Sequence, residues 1–268
     1  RRLKLEPTQM ANHQCVLLAG GKGTRLAEET YRIPKPMVTI GNYPIIWHIM
    51  KYFYHYGVRD FIICLGYKGY YIKEYFANYA LHHSDITVSS KANEIKVLKS
   101  DCEDWKITLV DTGQETMTGG RLLKAGNYLK GNDFFFTYGD GLSNVDLNKL
   151  VELHQSESRL ATVTATNPPS RFGTLSVQEK RVLAFREKPK DQNTWINGGF
   201  FFMSPKVLNF ISGDTEIWEQ EPMKNLVKKE QLSVFKHSDF WQPMDTIAEK
   251  TLLNELWEKG EAPWKIWN

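Results

Sequence analysis

The chain has 268 residues, 41% hydrophobic and 24% charged, with a formal net charge of +3. That length fits one large α/β domain or two small ones. The charge is too small for a protein that coats nucleic acid, which clusters its cations, so no nucleic-acid partner is expected. Three scattered cysteines (Cys15, Cys64, Cys102) argue against a disulfide framework and fit a reducing cytoplasm. No CxxC or HxxxH spacing calls for structural zinc. No apolar run approaches the ~18 residues of a membrane span, so no membrane association is expected. The first stretch, RRLKLEPTQMANHQ, has two arginines but no apolar segment after them. It reads as an N-terminal extension, residues 1–14, outside a single domain at 15–268.

In chain order, Cys15 to Ala19 is a short apolar run stopped by a double glycine, a buried strand feeding a loop. Pro44 opens a helix in which Ile46, Ile49, Met50 and Phe53 recur at helical spacing, with Gly57 at its C-cap. Asp60–Gly66 is a second continuous apolar strand, and GYYIKEYFANYAL a second helix. This alternation predicts a parallel sheet covered by helices.

Between Asp85 and Gly113 the pattern predicts three short strands with no helix, an antiparallel excursion. GGRLLKAGNYL restores a helix, and DFFFTYGDG is a buried strand ending in an acidic turn. ATVTATNPP reads as a strand, RFGTLSVQEKRVLAFREKP as a hairpin and NGGFFFMS as a further strand. The last third predicts a helix near Trp218–Lys229, a strand near Leu232–Phe235 and a helix from about Asp245 to Lys259.

The loop after the first strand, AGGKGTRLAEETYRIPKPMV, holds Gly20, Gly21 and Gly23. It lacks the GxxxxGK[ST] of a P-loop. It also puts Leu26 where the dinucleotide fingerprint needs its third glycine. Two nearby prolines oppose a regular helix there. Small residues still let backbone N–H groups approach an anion closely. Arg25 offers a forked donor suited to phosphate oxygens, beside Thr24. Lys35 is clamped between Pro34 and Pro36. The bland alternative is a surface loop with solvated cations.

Two carboxylates stand out. Asp140 ends a predicted buried strand, where open α/β sheets bind ligands, or is simply a turn aspartate between glycines. Asp245 precedes a predicted helix and is either a ligand or an N-cap. The seven histidines show no ligand or triad spacing. His48 and His55 share a helix face, which packing explains. Three tryptophans near the end (Trp257, Trp264, Trp267) either pack on the domain or sit in an oligomer interface.

GGxGTRL followed by PKPMV resembles the signature of the sugar-1-phosphate nucleotidyltransferases. DFIICLGYKGYYIKEYF, LVDTG, MTGGRL, TYGDG, INGGFF, WEQEP, FWQPMDT and LWEKGEAPWK extend the resemblance over about Val16 to Trp267. They are similar to members that join a cytidine nucleotide to glucose 1-phosphate. The resemblance implies a Rossmann-like, mainly parallel mixed sheet flanked by helices. Its nucleotide-binding part spans about 15–145 and its sugar-phosphate part about 146–268. It also implies CTP and glucose 1-phosphate as substrates and Mg²⁺ (or Mn²⁺) as cofactor; a homo-oligomer and a cytoplasmic location are separate expectations.

Residue by residue, the resemblance implies nucleotide binding by Leu18, Ala19, Gly20, Gly21, Gly23, Thr24, Arg25, Lys35, Thr116, Gly120, Arg121 and Gly139. Arg25, Lys35 and Asp140 carry catalysis, and Asp140 with Asp245 holds the metal. Tyr138, Gly173, Glu187, Lys188, Asn197 and Gly198 take the sugar phosphate. A cytosine site is expected to offer backbone carbonyls of the 111–122 loop to the 4-amino group. Taken alone, Arg121 is equally a helix-surface cation and Glu187-Lys188 a polar turn. Three alternatives stay open: use of UTP or dTTP, a non-catalytic nucleotide-sugar sensor on the same fold, and an NAD-dependent oxidoreductase, which Leu26 disfavours. Lys22, at the variable position of the glycine loop, has no assigned role.

Overall fold

The computed structural model describes residues 10–168, 174–178, 181–186 and 195–267. Its centre is a seven-stranded sheet. The strands are β1 (Gln14–Ala19), β2 (Asp60–Leu65), β3 (Lys106–Asp111), β4 (Phe134–Tyr138), β5 (Ala161–Thr166), β6 (Ile196–Met203) and β7 (Leu232–His237). They lie in the order β7-β5-β6-β4-β1-β2-β3. β1 runs parallel to β2 and β4, β2 to β3, and β5 to β7; β6 runs antiparallel to both its neighbours.

The apolar runs of β1 and β2 are unbroken because both sheet faces are covered. Leu17 and Ile63 face a core with α1 (Ile45–His55), α2 (Gly69–Ala77), α4 (Leu147–Glu157) and α6 (Ile247–Glu258). Val16 and Ile62 face a second core with α3 (Thr118–Ala125) and α5 (Glu221–Lys228). Phe136, fully buried in the second core, illustrates the stake: truncation to alanine costs about 3–5 kcal/mol.

Several expectations shift. The antiparallel excursion has two strands, Ser84–Ser89 and Glu94–Ser100. The third expected strand is β3, which returns to the main sheet as a parallel edge because Ile107, Leu109 and Val110 pack on its cores. Residues before 15 also belong to the fold, from Met10 onward among the described residues. The Met10 side chain is 1% exposed inside the first core, while Gln14 pairs with Asp60 in the sheet and exchanges hydrogen bonds with Tyr128 and Lys130.

Helix α4 was not among the expected elements. Asp146 caps it through Lys149 N, and Leu147, Leu150, Val151 and His154 form its buried face. The C-terminal tryptophans pack on their own domain. Trp264 is fully buried, stacks on Trp257 and Phe240, and donates to His48 Nδ1 at 3.3 Å. Burial lowers the His48 pKa to about 4, so it serves as neutral packing.

Candidate active site

Strand order reverses between β1 and β4, and the crevice beyond their carboxyl ends is where open α/β sheets take ligands. A cleft of about 590 Å³ opens there. The glycine loop, Lys35, residues 114–118, Arg121 and Tyr138–Asp140 line it.

β1 ends at Ala19 and the chain turns at once. Gly23 has φ +61°, and a β-carbon there would meet Thr30 Cγ2 at 2.8 Å, so both conformation and space require glycine. Its carbonyl accepts from Leu26 N and Thr30 Oγ1, each at 3.0 Å. Gly21 faces open space. The chain then forms a 3₁₀ turn (Thr24–Leu26) and one helical turn (Ala27–Thr30) that ends before Pro34. Leu18, Ala19, Gly20, Gly21, Gly23, Thr24 and Arg25 thus all reach the cleft wall.

Lys35 sits in a 3₁₀ turn opened by Pro34 at φ −66°. Its side chain is 9% exposed, and its Nζ lies 2.6 Å from Asp140 Oδ2 and 2.6 Å from Asp245 Oδ1. Arg25, mostly in solvent, reaches the other Asp245 oxygen at 2.8 Å. Burial works against the Lys35 charge, but Asp140 and Asp245 outweigh it and hold the ammonium pKa above its ordinary value.

Asp245 arrives by a short antiparallel pairing of Trp241–Pro243 with Gly141–Ser143, closed by Met244 N donating to Asp140 O at 2.8 Å. The helix cap is Thr246, in a capping box with Glu249. Glu249 also accepts from Asp245 N at 2.7 Å, so Asp245 is free of the capping duty and its carboxylate faces the cluster. Two hard oxygen donors gathered on one cation suit a divalent ion such as Mg²⁺. Among the described residues no group of three or more His, Cys, Asp or Glu side chains could hold one.

Arg121 lines the cleft, yet its guanidinium is only 5% exposed as a residue and its donors are engaged. It donates to the carbonyls of Leu65, Gly113, Gln114 and Gly20 and to Thr112 Oγ1. It is neither a surface cation nor a free fork. Thr116 Oγ1 turns back to Thr112 O at 2.6 Å. Gly120 lies against Asp214, where a β-carbon would meet Cα at 2.6 Å; it permits close packing of α3. Of the 111–122 carbonyls expected to meet a cytosine amino group, that of Thr112 already accepts from both Thr116 Oγ1 and Lys124 Nζ, whereas those of Gly113 and Gln114 accept from Arg121 and retain a second lone pair.

On the other side, Tyr138 hydroxyl donates to Glu219 Oε1 at 2.5 Å and accepts from Asn197 Nδ2 at 3.3 Å. Glu219 also accepts from Thr118 Oγ1 at 2.6 Å, linking the two halves of the cleft. Sequence reasoning missed Glu219; WEQEP contains it but no spacing marks it. Gly198 is buried, and its carbonyl accepts from Trp241 Nε1 at 2.8 Å. Gly139 lies against Leu18 O. Gly173, Glu187 and Lys188 lie outside the described residues.

The family model described as nucleotidyl transferase matches residues 14–243, a stretch that includes Asp140 and ends two residues before Asp245. The chain belongs to the nucleotidyl transferase family. Two glucose-1-phosphate cytidylyltransferases, from Salmonella typhi and Salmonella typhimurium, are each 52% identical over 255 residues, covering 95% of this chain and 99% of theirs. Among solved structures, HddC from Yersinia pseudotuberculosis superposes with a TM-score of 0.66 at 22% identity, covering 91% of this chain and 99% of that one. That structural likeness bears on the fold alone.

Proposed function

We propose that this nucleotidyl transferase is a glucose-1-phosphate cytidylyltransferase, converting CTP and α-D-glucose 1-phosphate to CDP-glucose and pyrophosphate. The supporting geometry is the gathering of Arg25, Lys35, Asp140 and Asp245 at one end of a glycine-walled cleft. The choice of substrates is supported by the 52% identity to cytidylyltransferases over nearly the whole chain.

The chemistry follows from the groups. A sugar phosphate is largely dianionic at pH 7, with a second pKa of about 6, so its oxygen attacks the α-phosphorus without a general base. Pyrophosphate leaves in line. The site must gather two polyanions and stabilise spreading charge. In this proposal the glycine-loop N–H groups and Arg25 receive the triphosphate and its leaving portion. Lys35 serves the α-phosphate and the attacking oxygen. Asp140 and Asp245 would hold Mg²⁺, with Mn²⁺ as a substitute; when bound, it neutralises phosphate charge.

The loop 112–118 takes the base, with Arg121 and Thr116 shaping that loop from inside. Tyr138, Asn197 and Gly198 take the sugar; the resemblance adds a sugar-phosphate role for Gly173, Glu187 and Lys188. A cytoplasmic setting is supported by three unpaired cysteines. A homo-oligomer is supported by the hairpin Ser84–Ser100, whose Val88, Ile95 and Leu98 are exposed. Among the described residues no helix is long and apolar enough to cross a membrane. A competition assay between CTP and UTP tests the base assignment: a clear preference for CTP supports it, and equal kcat/KM overturns it.

A further inference from the structure

Two loops wall one side of the cleft, the glycine loop and the segment 112–117, and they are fastened to each other at two levels. The deep fastening is Arg121. Its buried guanidinium donates to Gly20 O at 3.3 Å on one loop, and to Gly113 O at 2.8 Å and Gln114 O at 3.2 Å on the other. The outer fastening is an ion pair at the rim. Lys22 Nζ lies 3.1 Å from Glu115 Oε1, across 93 residues of sequence. Both residues line the cleft, and neither makes another hydrogen bond or ion pair among the described residues.

The two fastenings differ in kind. Opening the buried Arg121 contacts would strand carbonyls and a guanidinium away from water, which is costly. The Lys22 and Glu115 side chains are 55% and 79% exposed. Such a pair is screened, holds weakly and exchanges readily with water. The cleft wall is therefore rigid at its floor and openable at its rim.

Charge decides what the rim does with an anion below it. A free carboxylate at Glu115 would repel a triphosphate, whereas a carboxylate neutralised by Lys22 does not. We propose that Lys22 and Glu115 form a clasp: the pair opens to admit the nucleotide, closes across it and slows its release. Both are positioning residues for the bound nucleotide. The proposal rests on the cleft being the nucleotide site.

The test is the release rate of a fluorescent CTP derivative, mant-CTP, chased with excess CTP in a stopped-flow instrument with Mg²⁺ present. The variants are Lys22→Met, Glu115→Gln and the charge swap Lys22→Glu/Glu115→Lys. In about 0.1 M salt each single variant is expected to release about three- to five-fold faster, the scale of one exposed ion pair. The swap is expected to return to within about two-fold of the unaltered protein. The ratios shrink toward one near 1 M salt, where the Debye length is about 3 Å.

Glu115→Gln carries the sign that matters. Removing a negative charge beside a polyanion slows release if only the general field acts, and speeds it if the clasp acts. Slower or unchanged release from Glu115→Gln overturns the proposal. So does a swap as fast as Lys22→Met, which would mean that Lys22 serves the phosphates alone. If the unaltered protein fails to bind mant-CTP, the nucleotide assignment falls, and the clasp with it.

Discussion

Lys35 Nζ lies 2.6 Å from Asp245 Oδ1, a contact between residues 210 apart in sequence. The same ammonium holds Asp140 at the same distance. One monovalent cation thus occupies the two carboxylates proposed to hold a divalent one. Lys35→Met is expected to bind Mn²⁺ in the absence of nucleotide more tightly than the unaltered protein does, measured by electron paramagnetic resonance. The same variant is expected to lose turnover by about 10²–10³-fold, the scale of removing one charge-stabilising donor. Equal Mn²⁺ affinity in the two proteins would contradict the shared carboxylate site.

The capping box at α6 separates a structural duty from the site. Thr246 and Glu249 hold the helix start, and Glu249 also holds the Asp245 amide. Thr246→Ala is expected to cost about 1 kcal/mol in urea unfolding and to lower turnover modestly by loosening Asp245. Asp245→Asn should weigh the other way: a large loss of turnover, out of proportion to the stability lost with its Lys35 and Arg25 ion pairs. If Thr246→Ala abolished activity while leaving stability intact, Thr246 itself would belong to the site.

Arg121 is buried and makes five donor contacts, four to the two loops and one to Leu65 at the end of β2. Arg121→Met takes the donor from the Gly113 and Gln114 carbonyls, while Gly20 O keeps Tyr67 N and Leu65 O keeps Thr112, so a loss of about 3 kcal/mol is expected from chemical denaturation, with a raised KM for the nucleotide. Arg121→Lys retains the charge but not the fork and should recover only part of both. Full stability in Arg121→Met would contradict the loop-fastening role.

Fold and site were legible in the sequence to different degrees. The unbroken apolar runs of β1 and β2, Gly57 at φ +104° beyond α1 and the acidic turn after β4 follow from local rules, and local rules found them. The face of α4 was equally local, with Asp146 as its cap, and was passed over. What no local rule carries is partnership at a distance. Arg121 reads as a cation available to a ligand until Gly20 and Gly113 close around it. Glu219 has no spacing that marks it until Tyr138 and Thr118 converge on it. The strand at Lys106–Asp111 follows two antiparallel strands, so its pairing with β2 emerges only from the packing of Ile107 and Leu109.

Away from the cleft, Lys51 Nζ lies 2.6 Å from Glu103 Oε1, and Tyr79 donates to Glu103 Oε2 at 2.6 Å. Burial raises the Glu103 pKa, but Lys51 and Tyr79 outweigh it and hold the carboxyl below its ordinary value. A depressed carboxylate contributes stability that is present above the unfolded pKa, about 4.3, and lost as pH falls through the folded value. Glu103→Gln is expected to lower stability by about 2–3 kcal/mol with a constant gap between pH 6 and 8. The gap should narrow below pH of about 4. Urea midpoints across that range check it, and a gap that widened in acid would contradict the sign.

Every residue role proposed in the cleft serves one reaction, the transfer of a cytidylyl group to glucose 1-phosphate. Pyrophosphate release measured over CTP, UTP, dTTP and GTP, each paired with glucose 1-phosphate and with other hexose 1-phosphates, tests it most directly. CTP with glucose 1-phosphate is expected to give the highest kcat/KM, by about ten-fold or more over any other pair, because a base site built around hydrogen bonds rejects a mismatched donor strongly. A different best pair, or no pyrophosphate release from any pair, would contradict it.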